Sequence, residues 1–189
     1  PVVREYLPGT TASSLNEARL GFEKFGGEVH VYATAYKDSE IEEYLKYANH
    51  ITFNSFSQWR KFRDRVKAYP KHVECAIRIN PEYAEVKYPI YNPCYKHSRL
   101  GVTLREFEEE NMEGISGLHF HTHCGSNSDT LERTIKVVEE KFGHLFKKIK
   151  WVNFGGGHHI SRADYNVDLL IKVVKTFREK HGLEVILEP

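Results

Sequence analysis

The stretch WVNFGGGHH, at residues 151–159, joins a short apolar run to three consecutive glycines and two histidines. The apolar run predicts a buried strand, and long helical patterns lie on either side of the stretch, at residues 131–148 and 165–181. A strand set between helices of this length is typical of an α/β protein with parallel strands. The stretch therefore predicts an α/β fold in which the glycines follow the carboxyl end of a strand.

The same alternation of strands and helices extends toward both ends of the chain. Six further strands are predicted, at residues 9–13, 29–32, 51–53, 75–79, 117–121 and 184–187. Further helices are predicted at residues 14–25, 38–47, 57–69 and 103–110, after a helical stub that precedes the first strand. Strands separated by helices pair in parallel through right-handed crossovers. The count of seven predicts a TIM-type (β/α)8 barrel that is incomplete, with its first strand absent.

We expect residues 1–189 to form one domain, a partial barrel that begins inside an element. A doubly wound open sheet is the alternative architecture. It is weakened, though not excluded, because its nucleotide-binding fingerprint Gly-x-Gly-x-x-Gly is absent. No internal repeat, low-complexity segment or linker interrupts the sequence. One incomplete barrel is therefore favoured.

The composition predicts a cytoplasmic protein that binds a small molecule. The 27 Lys and Arg residues nearly balance the 26 Asp and Glu residues, so no basic field indicates nucleic acid or an anionic membrane. Cys75, Cys94 and Cys124 are odd in number and never fall at Cys-x-x-Cys spacing, which favours reduced thiols. No apolar run is long enough to cross a bilayer, and the residues from Pro1 onward do not resemble a signal peptide.

The glycine triplet is the first candidate site, because active sites of α/β barrels form where strands end and βα loops begin. Gly155, Gly156 and Gly157 expose successive backbone N–H groups, which suits a phosphate group. A flexible turn is the alternative interpretation. The position of the glycines after a late strand favours phosphate, since barrels often bind phosphate at their last βα loops.

Two histidines of the segment HFHTHC, at residues 119–124, form the second candidate site. The period of a strand places His119 and His121 on one face, where both could address a ligand. A metal site formed with His158 is the alternative, as in metal-dependent barrel hydrolases, and a hydrogen-bonded interior role is a further alternative for His119. Those hydrolases carry such a pair on their first strand, whereas this pair lies on a middle strand. We therefore predict no metal.

Glu188, at the end of an apolar strand, is the third candidate. A buried carboxylate is costly without a partner, and pairing with a pyridinium nitrogen would supply one. Composition alone would favour a solvated chain end.

In order along the chain, FH at 120–121, GGG at 155–157 and EP at 188–189 resemble the ornithine and diaminopimelate decarboxylases of fold type III. Within that family, NPC at 92–94, SRLG at 98–101, HFHTHC and WVNFGGGHH are similar to carboxynorspermidine/carboxyspermidine decarboxylases. The resemblance covers essentially the whole chain. It implies a barrel that binds pyridoxal 5'-phosphate and a homodimer whose active site lies at the subunit interface.

The resemblance also implies roles for single residues in holding the cofactor. His121 would stack on the cofactor ring, Gly155–Gly157 would hold the phosphate, and Glu188 would pair with the pyridine nitrogen. Arg78 matches the arginine near the ring edge. Whether Cys124 or Ser126 reaches the phosphate stays open, because the sequence departs here from the ornithine decarboxylase pattern.

Two further residues concern catalysis and the substrate. Glu17 matches a glutamate near the cofactor lysine, which makes it a catalytic candidate together with His121. It also completes a local capping box with Ser14, so both interpretations stay open. His158 is the candidate for binding the substrate, carboxynorspermidine or carboxyspermidine, which the enzyme would decarboxylate in polyamine biosynthesis. Diaminopimelate, arginine or ornithine are alternative substrates within the family.

The family lysine that holds the cofactor belongs to the first barrel strand, which the resemblance places before residue 1. Lys37 follows another strand and fits a solvated position before a helix better. A C-terminal β domain of the family would follow residue 189. We therefore expect the chain alone to be inactive. A metal-dependent barrel hydrolase and a barrel that binds the cofactor without catalysis remain the alternative classes.

Overall fold

The computed structural model describes residues 2–188, so Pro1 and the proline of the Glu188-Pro189 motif lie outside the described residues. The chain divides into two compact units. The first unit contains the residues up to Arg78 together with Glu108–Ile115, and the second contains Ile79–Phe107 and the residues from Ser116 onward. Parallel strands alternate with helices in each of them.

The first unit contains four parallel strands and three α-helices. The strands are β1 (Gly9–Ala12), β2 (Glu28–Tyr32), β3 (His50–Phe53) and β4 (Glu74–Arg78), and they pair in this order. The helices are α1 (Leu15–Leu20), which continues as a π-helical turn over Gly21–Phe25, α2 (Ile41–Tyr47) and α3 (Phe56–Ala68). Short 3-10 turns occur at Val3–Glu5 and Glu109–Asn111.

Helix α3 shows why these segments form helices and how they pack. Ser55 caps its start, where the side-chain oxygen accepts a hydrogen bond from the backbone N–H of Gln58 at 3.3 Å. Its apolar residues follow helical spacing and are buried: Phe56, Trp59, Phe62 and Val66. The ring of Trp59 lies 5.4 Å from that of Phe53 in β3. Burial of this stripe against the sheet holds the helix in place.

The second unit contains the remaining strands and the two longest helices. Strand β5 (Ile115–His119) begins at the unit boundary and pairs with β6 (Trp151–Gly156), which in turn pairs with β7 (Glu184–Glu188), all in parallel. Helix α4 (Ser128–Phe142) continues as a 3-10 helix over Gly143–Lys148, and α5 (Val167–His181) precedes β7. Two 3-10 turns, Pro89–Tyr91 and Leu104–Glu106, interrupt the long loop before β5.

The predicted alternation of seven strands with helices is confirmed, but the helix predicted at residues 103–110 is wrong. Two separate 3-10 turns, Leu104–Glu106 and Glu109–Asn111, occupy this segment. Phe107 adopts extended backbone, with φ −77° and ψ 127°, and its ring packs 5.9 Å from that of Phe142. The contact of this ring with Phe142 outweighs the helical propensity of the glutamates around it. Strand β5 also begins and ends earlier than predicted, so that His121 follows the strand.

Among residues 2–188, no helix is both long enough and apolar enough to cross a membrane. All three cysteines are free thiols, as the sequence predicted. Burial raises the pKa of Cys75 to about 12, which makes this thiol unreactive at neutral pH.

Gly117 provides a test of the packing in the second unit. A Cβ atom at this position would lie 2.3 Å from the ring of Trp151, its partner in β6. We expect Gly117→Ala to lower the free energy of unfolding by about 1–3 kcal/mol, the usual cost of overpacking a core. Urea unfolding measures the change.

Gly143→Ala is the matched control, because no atom lies within 4 Å of a Cβ built there. The φ of Gly143 is −59°, which alanine adopts without strain. This variant should be unchanged or more stable by about 0.4–1 kcal/mol. Equal losses in the two variants would contradict the packing of Gly117 against Trp151.

Candidate functional site

Three segments meet at the carboxyl ends of β5, β6 and β7 in the second unit. The backbone N–H of Phe120, just after β5, donates to the carbonyl oxygen of Asn153 at 3.0 Å. The N–H groups of Gly125 and Ser126 donate to the carbonyl oxygen of Gly157, at 3.0 and 3.2 Å. These hydrogen bonds tie the loop after β5 to the glycine triplet. The carboxyl ends of neighbouring parallel strands are where α/β proteins place their ligands.

The glycines of the triplet are required by the approach of neighbouring backbone. Gly155 and Gly157 have φ values of +69° and +87°, which favour glycine. A Cβ atom would lie 2.3 Å from the carbonyl oxygen of Phe120 at position 155, and 2.0 Å from that of Glu188 at position 156. The register of β6 and β7 shifts between Asn153 and Gly156. The triplet therefore forms a bulge that only residues without a side chain can make.

Two N–H groups of the triplet already have partners within the protein. Gly155 donates to the side-chain oxygen of Asn153 at 2.7 Å, and Gly156 donates to Nδ1 of His121 at 3.2 Å. A phosphate group would have to replace Asn153 and His121 as acceptors in order to use these donors. The assignment of the triplet to phosphate therefore stays a prediction.

Glu188 is held inside the site and is not solvated. Its Oε1 accepts a hydrogen bond from the side-chain amide of Asn153 at 2.8 Å and lies 3.8 Å from Nε2 of His119. Its Oε2 lies 3.6 Å from Nδ1 of His121. The Glu188 side chain is 16% exposed. One carboxylate oxygen is thus fixed by Asn153, while the other faces the imidazole of His121.

The carboxylate of Glu188 is ionised at neutral pH. Burial alone would raise its pKa, but the polar contact with His121, the charge of His119 and the hydrogen bond from Asn153 together lower the pKa to about 2. The site therefore contains a permanent anion at the end of β7.

Nδ1 of His121 has two competing partners. When it carries no proton, it accepts the hydrogen bond from the N–H of Gly156, and the ring proton resides on Nε2. When it is protonated, it can donate to Oε2 of Glu188 instead. Nδ1 lies 3.2 Å from the nitrogen of Gly156 and 3.6 Å from Oε2 of Glu188. The side chain of His121 is 40% exposed, so one part of the imidazole is accessible to a ligand.

Two buried histidines lie beside these groups. His158 is held by Tyr165, whose hydroxyl oxygen lies 3.1 Å from its Nδ1, and its ring lies 4.8 Å from that of His123. Burial, together with the charge of neighbouring histidines, lowers the pKa of His123 to about 3 and that of His158 to about 4. Both rings are neutral at neutral pH.

The two candidates for phosphate contact lie in the loop after β5. Cys124 is exposed, and the hydroxyl of Ser126 donates to the carbonyl oxygen of Glu85 at 3.4 Å. These positions leave the choice between the two residues open.

Glu17 and Arg78 belong to the first unit. The carboxylate of Glu17 accepts hydrogen bonds from the backbone N–H and the hydroxyl of Ser13, at 2.7 and 2.8 Å, and these bonds lower its pKa. The side-chain oxygen of Ser14 accepts from the N–H of Glu17 at 3.3 Å. Glu17 therefore makes the predicted local cap, and its catalytic role stays a prediction. The guanidinium of Arg78 is buried and lies 4.7 Å from the ring centre of Tyr32.

The structure thus brings together His121, Glu188 and the glycine triplet, with His158 nearby. Sequence reasoning missed Asn153 and His123. A polar residue within an apolar strand was the available signal for Asn153, and the alternation of histidines at 119, 121 and 123 was the signal for His123.

The predicted alternative metal set differs from the set that the structure assembles. Within the described residues, the donor atoms of His119, His121 and Glu188 all lie within 4.8 Å of one another, and His158 is not a member of this group. Pyridoxal phosphate fits the same residues, because an ionised carboxylate with one oxygen free of Asn153 can accept a hydrogen bond from a protonated ring nitrogen.

Comparison with known proteins finds relatives along the whole chain, although no family model matches it. The chain is 42% identical over 188 residues to the carboxynorspermidine/carboxyspermidine decarboxylase of Campylobacter jejuni, covering 100% of the chain and 48% of that protein. It is 42% identical over 190 residues to the carboxyaminopropylagmatine decarboxylase of a Synechocystis species, covering 100% of the chain and 49% of that protein. The chain spans about half the length of these curated relatives.

A solved structure shows the same relationship. The crystal structure of carboxynorspermidine decarboxylase from Campylobacter jejuni, complexed with norspermidine, matches with a TM-score of 0.89 and 40% sequence identity. The match covers 100% of the chain and 47% of that structure. The predicted fold class, an α/β barrel of the TIM type, is confirmed, because the chain matches the barrel fold of the fold-III decarboxylases.

The pKa of Glu188 predicts a pH dependence of stability. Folding lowers this pKa from the ordinary value of 4.5 to about 2. The resulting stabilisation is fully present above the unfolded-state pKa and is lost as the pH falls through the folded-state pKa. Glu188→Gln should therefore reduce the free energy of unfolding by an amount on the order of 3 kcal/mol at neutral pH. In urea unfolding, the difference from the native protein should shrink on acidification. A difference that is independent of pH would contradict the assigned pKa.

Proposed function

We propose that this chain is the barrel segment of a pyridoxal-phosphate-dependent decarboxylase that acts on a carboxylated polyamine. The whole chain aligns with carboxynorspermidine/carboxyspermidine decarboxylase and covers about half the length of that protein. One observation carries the proposal: the buried, ionised carboxylate of Glu188 lies 3.6 Å from His121 at the carboxyl end of β7. In this pair, Glu188 provides an anion that can hold a protonated ring nitrogen. His121 provides an imidazole that can cover the face of the same ring.

When bound, pyridoxal phosphate supplies an electron sink for the carbanion that remains after loss of carbon dioxide. Glu188 would hold a proton at the ring nitrogen, because a carboxylate with a pKa of about 2 does not take that proton itself. Asn153 fixes the direction of the carboxylate through its hydrogen bond to Oε1. His121 would cover one face of the ring. Gly155–Gly157 would hold the phosphate through backbone N–H groups once it replaces Asn153 and His121 as acceptors, with Cys124 or Ser126 beside them.

The buried histidines favour a cationic substrate. His123 and His158 are neutral at neutral pH, so they present hydrogen-bonding atoms without a positive charge that would repel an ammonium group. His158 is the residue that we assign to substrate binding. Arg78 and Glu17 keep their assigned roles near the ring edge and in catalysis.

The two relatives of equal identity support one substrate class and leave the individual substrate open. One is named for carboxynorspermidine and carboxyspermidine, and the other for carboxyaminopropylagmatine. All three names describe a polyamine that carries a carboxyl group. We therefore propose that the substrate is a carboxylated polyamine and not diaminopimelate, arginine or ornithine. A cytoplasmic homodimer with its active site at the subunit interface completes the proposal.

A metal-dependent hydrolase is the second candidate, supported by a different observation. The donor atoms of His119, His121 and Glu188 converge within 4.8 Å, and two histidines with one carboxylate are a common set of zinc ligands in hydrolases. The two candidates differ in what the full-length protein should carry.

The first test is to identify the bound group in the full-length protein. We expect a visible absorbance typical of pyridoxal phosphate held by a lysine, which borohydride removes. Incubation with carboxynorspermidine, carboxyspermidine or carboxyaminopropylagmatine should release carbon dioxide from at least one of them. Stoichiometric zinc without the absorbance would contradict the decarboxylase and support the hydrolase.

Glu188→Gln tests the role of the carboxylate in the same protein. Loss of the anion at the ring nitrogen should lower kcat by about 10²–10³-fold, the scale of removing one electrostatic group, while cofactor affinity changes much less. Glu184→Gln is the control, because Glu184 begins the same strand and is exposed. Equal activity of native protein and Glu188→Gln would exclude the proposed pairing.

His121→Ala tests the contact with the ring. We expect weaker cofactor binding and lower turnover, because the face of the ring loses its cover. His72→Ala replaces a histidine whose side chain is 82% exposed and should leave both properties unchanged. Unchanged cofactor affinity and turnover in His121→Ala would rule out stacking.

A further inference from the structure

A second group of potential ligands lies in the first unit, at the amino-terminal ends of its strands. Glu28 is the first residue of β2, His50 is the first residue of β3, and Glu74 is the first residue of β4. The parallel register pairs His30 with His50 and His50 with Glu74. Residues in register on adjacent strands project from the same face of a sheet. His30, His50 and Glu74 therefore form a row across three strands.

The row lies on the face of the sheet opposite Val29, Val31 and Ile51, which are buried almost completely. His30 is itself only 9% exposed. Glu28 lies two residues before His30, so it shares the face of the row. Its side chain is 53% exposed, which gives an ion a route from solvent.

The donor atoms of Glu28, His30 and His50 are close enough to share one ion. Oε2 of Glu28 lies 3.1 Å from Nε2 of His30, and the ring centres of His30 and His50 are 4.2 Å apart. All three donor atoms lie within 4.8 Å of one another. Ligand atoms at about 2.0–2.2 Å from a tetrahedral zinc ion are roughly 3.4 Å apart. The widest pair of donor atoms would therefore have to approach by up to about 1.4 Å to complete the site.

The imidazole planes set one condition. The rings of His30 and His50 are parallel within 4°, whereas the lone pairs of two ligands must converge on a shared metal. One ring must therefore turn about its Cβ–Cγ bond. This torsion is soft in histidine, so a modest rotation suffices.

We propose that Glu28, His30 and His50 bind one divalent transition-metal ion, zinc in the first place, that fastens the start of β2 to the start of β3. Two imidazole nitrogens and one carboxylate oxygen are a ligand set that zinc accepts, with water or Glu74 in the fourth position. The site is independent of the proposed decarboxylation, because it uses none of the residues assigned to that reaction.

Zinc titration of metal-free full-length protein tests the proposal. Titration calorimetry with zinc alone should detect one equivalent of zinc bound at this site. Bound zinc should also raise the melting temperature of the protein. Glu28→Gln should weaken binding at least about tenfold without unfolding the protein, because Glu28 is largely exposed. His50→Gln should abolish the binding of this one equivalent of zinc. Cobalt in place of zinc gives a visible spectrum that reports the ligands directly.

Two controls separate this site from other histidines. His72→Ala removes an exposed imidazole whose Nε2 lies 3.9 Å from Oε1 of Glu74, and it should leave zinc affinity unchanged. His121→Ala removes a member of the other potential ligand group, His119, His121 and Glu188. This variant should still bind the equivalent of zinc that depends on Glu28. Zinc affinity that is the same in native protein, Glu28→Gln and His50→Gln would overturn the proposal. It would then identify the three residues as a hydrogen-bonded set.

Discussion

The side-chain amide of Asn153 is the contact on which the arrangement of the site depends. Its NH2 group donates to Glu188 at 2.8 Å, and its oxygen accepts from the N–H of Gly155 at 2.7 Å. One planar group therefore fixes the carboxylate at the end of β7 relative to the glycine bulge at the end of β6. Asn153 is 3% exposed, and both of its polar ends are used, so its burial carries no penalty for unpaired groups.

Burial acts in opposite directions on the ionisable groups of this site. For His123 and His158, burial lowers the pKa, and no nearby acid offsets it sufficiently to restore a charge at neutral pH. For Glu188, burial favours the protonated form, but two histidines and Asn153 reverse the effect. The result is a fixed anion at Glu188, with the neutral imidazoles of His123 and His158 nearby. This distribution of charge follows from which side chains lie next to one another, because all of these groups are largely buried.

The sequence was sufficient for the features that depend on local patterns. The alternation of apolar runs and helical patterns predicted the seven strands, and the glycine triplet and Glu188 indicated residues that the structure brings together. Features that depend on distant neighbours escaped prediction. The extended backbone at Phe107 depends on Phe142, and the role of Asn153 depends on Glu188, which is 35 residues away. Position 117 requires glycine because the ring of Trp151, its partner in β6, occupies the space that a side chain would need.

The close approach of backbone at the glycine triplet also bears on how this signature should be used in annotation. A side chain at Gly156 would collide with the carbonyl oxygen of Glu188, and one at Gly155 with that of Phe120, whether or not a ligand is present. A paralogue that had lost its chemistry would need the same glycines to keep its strands adjacent. The triplet alone therefore indicates the architecture, and evidence for chemistry has to come from other residues, such as the carboxylate at the end of β7.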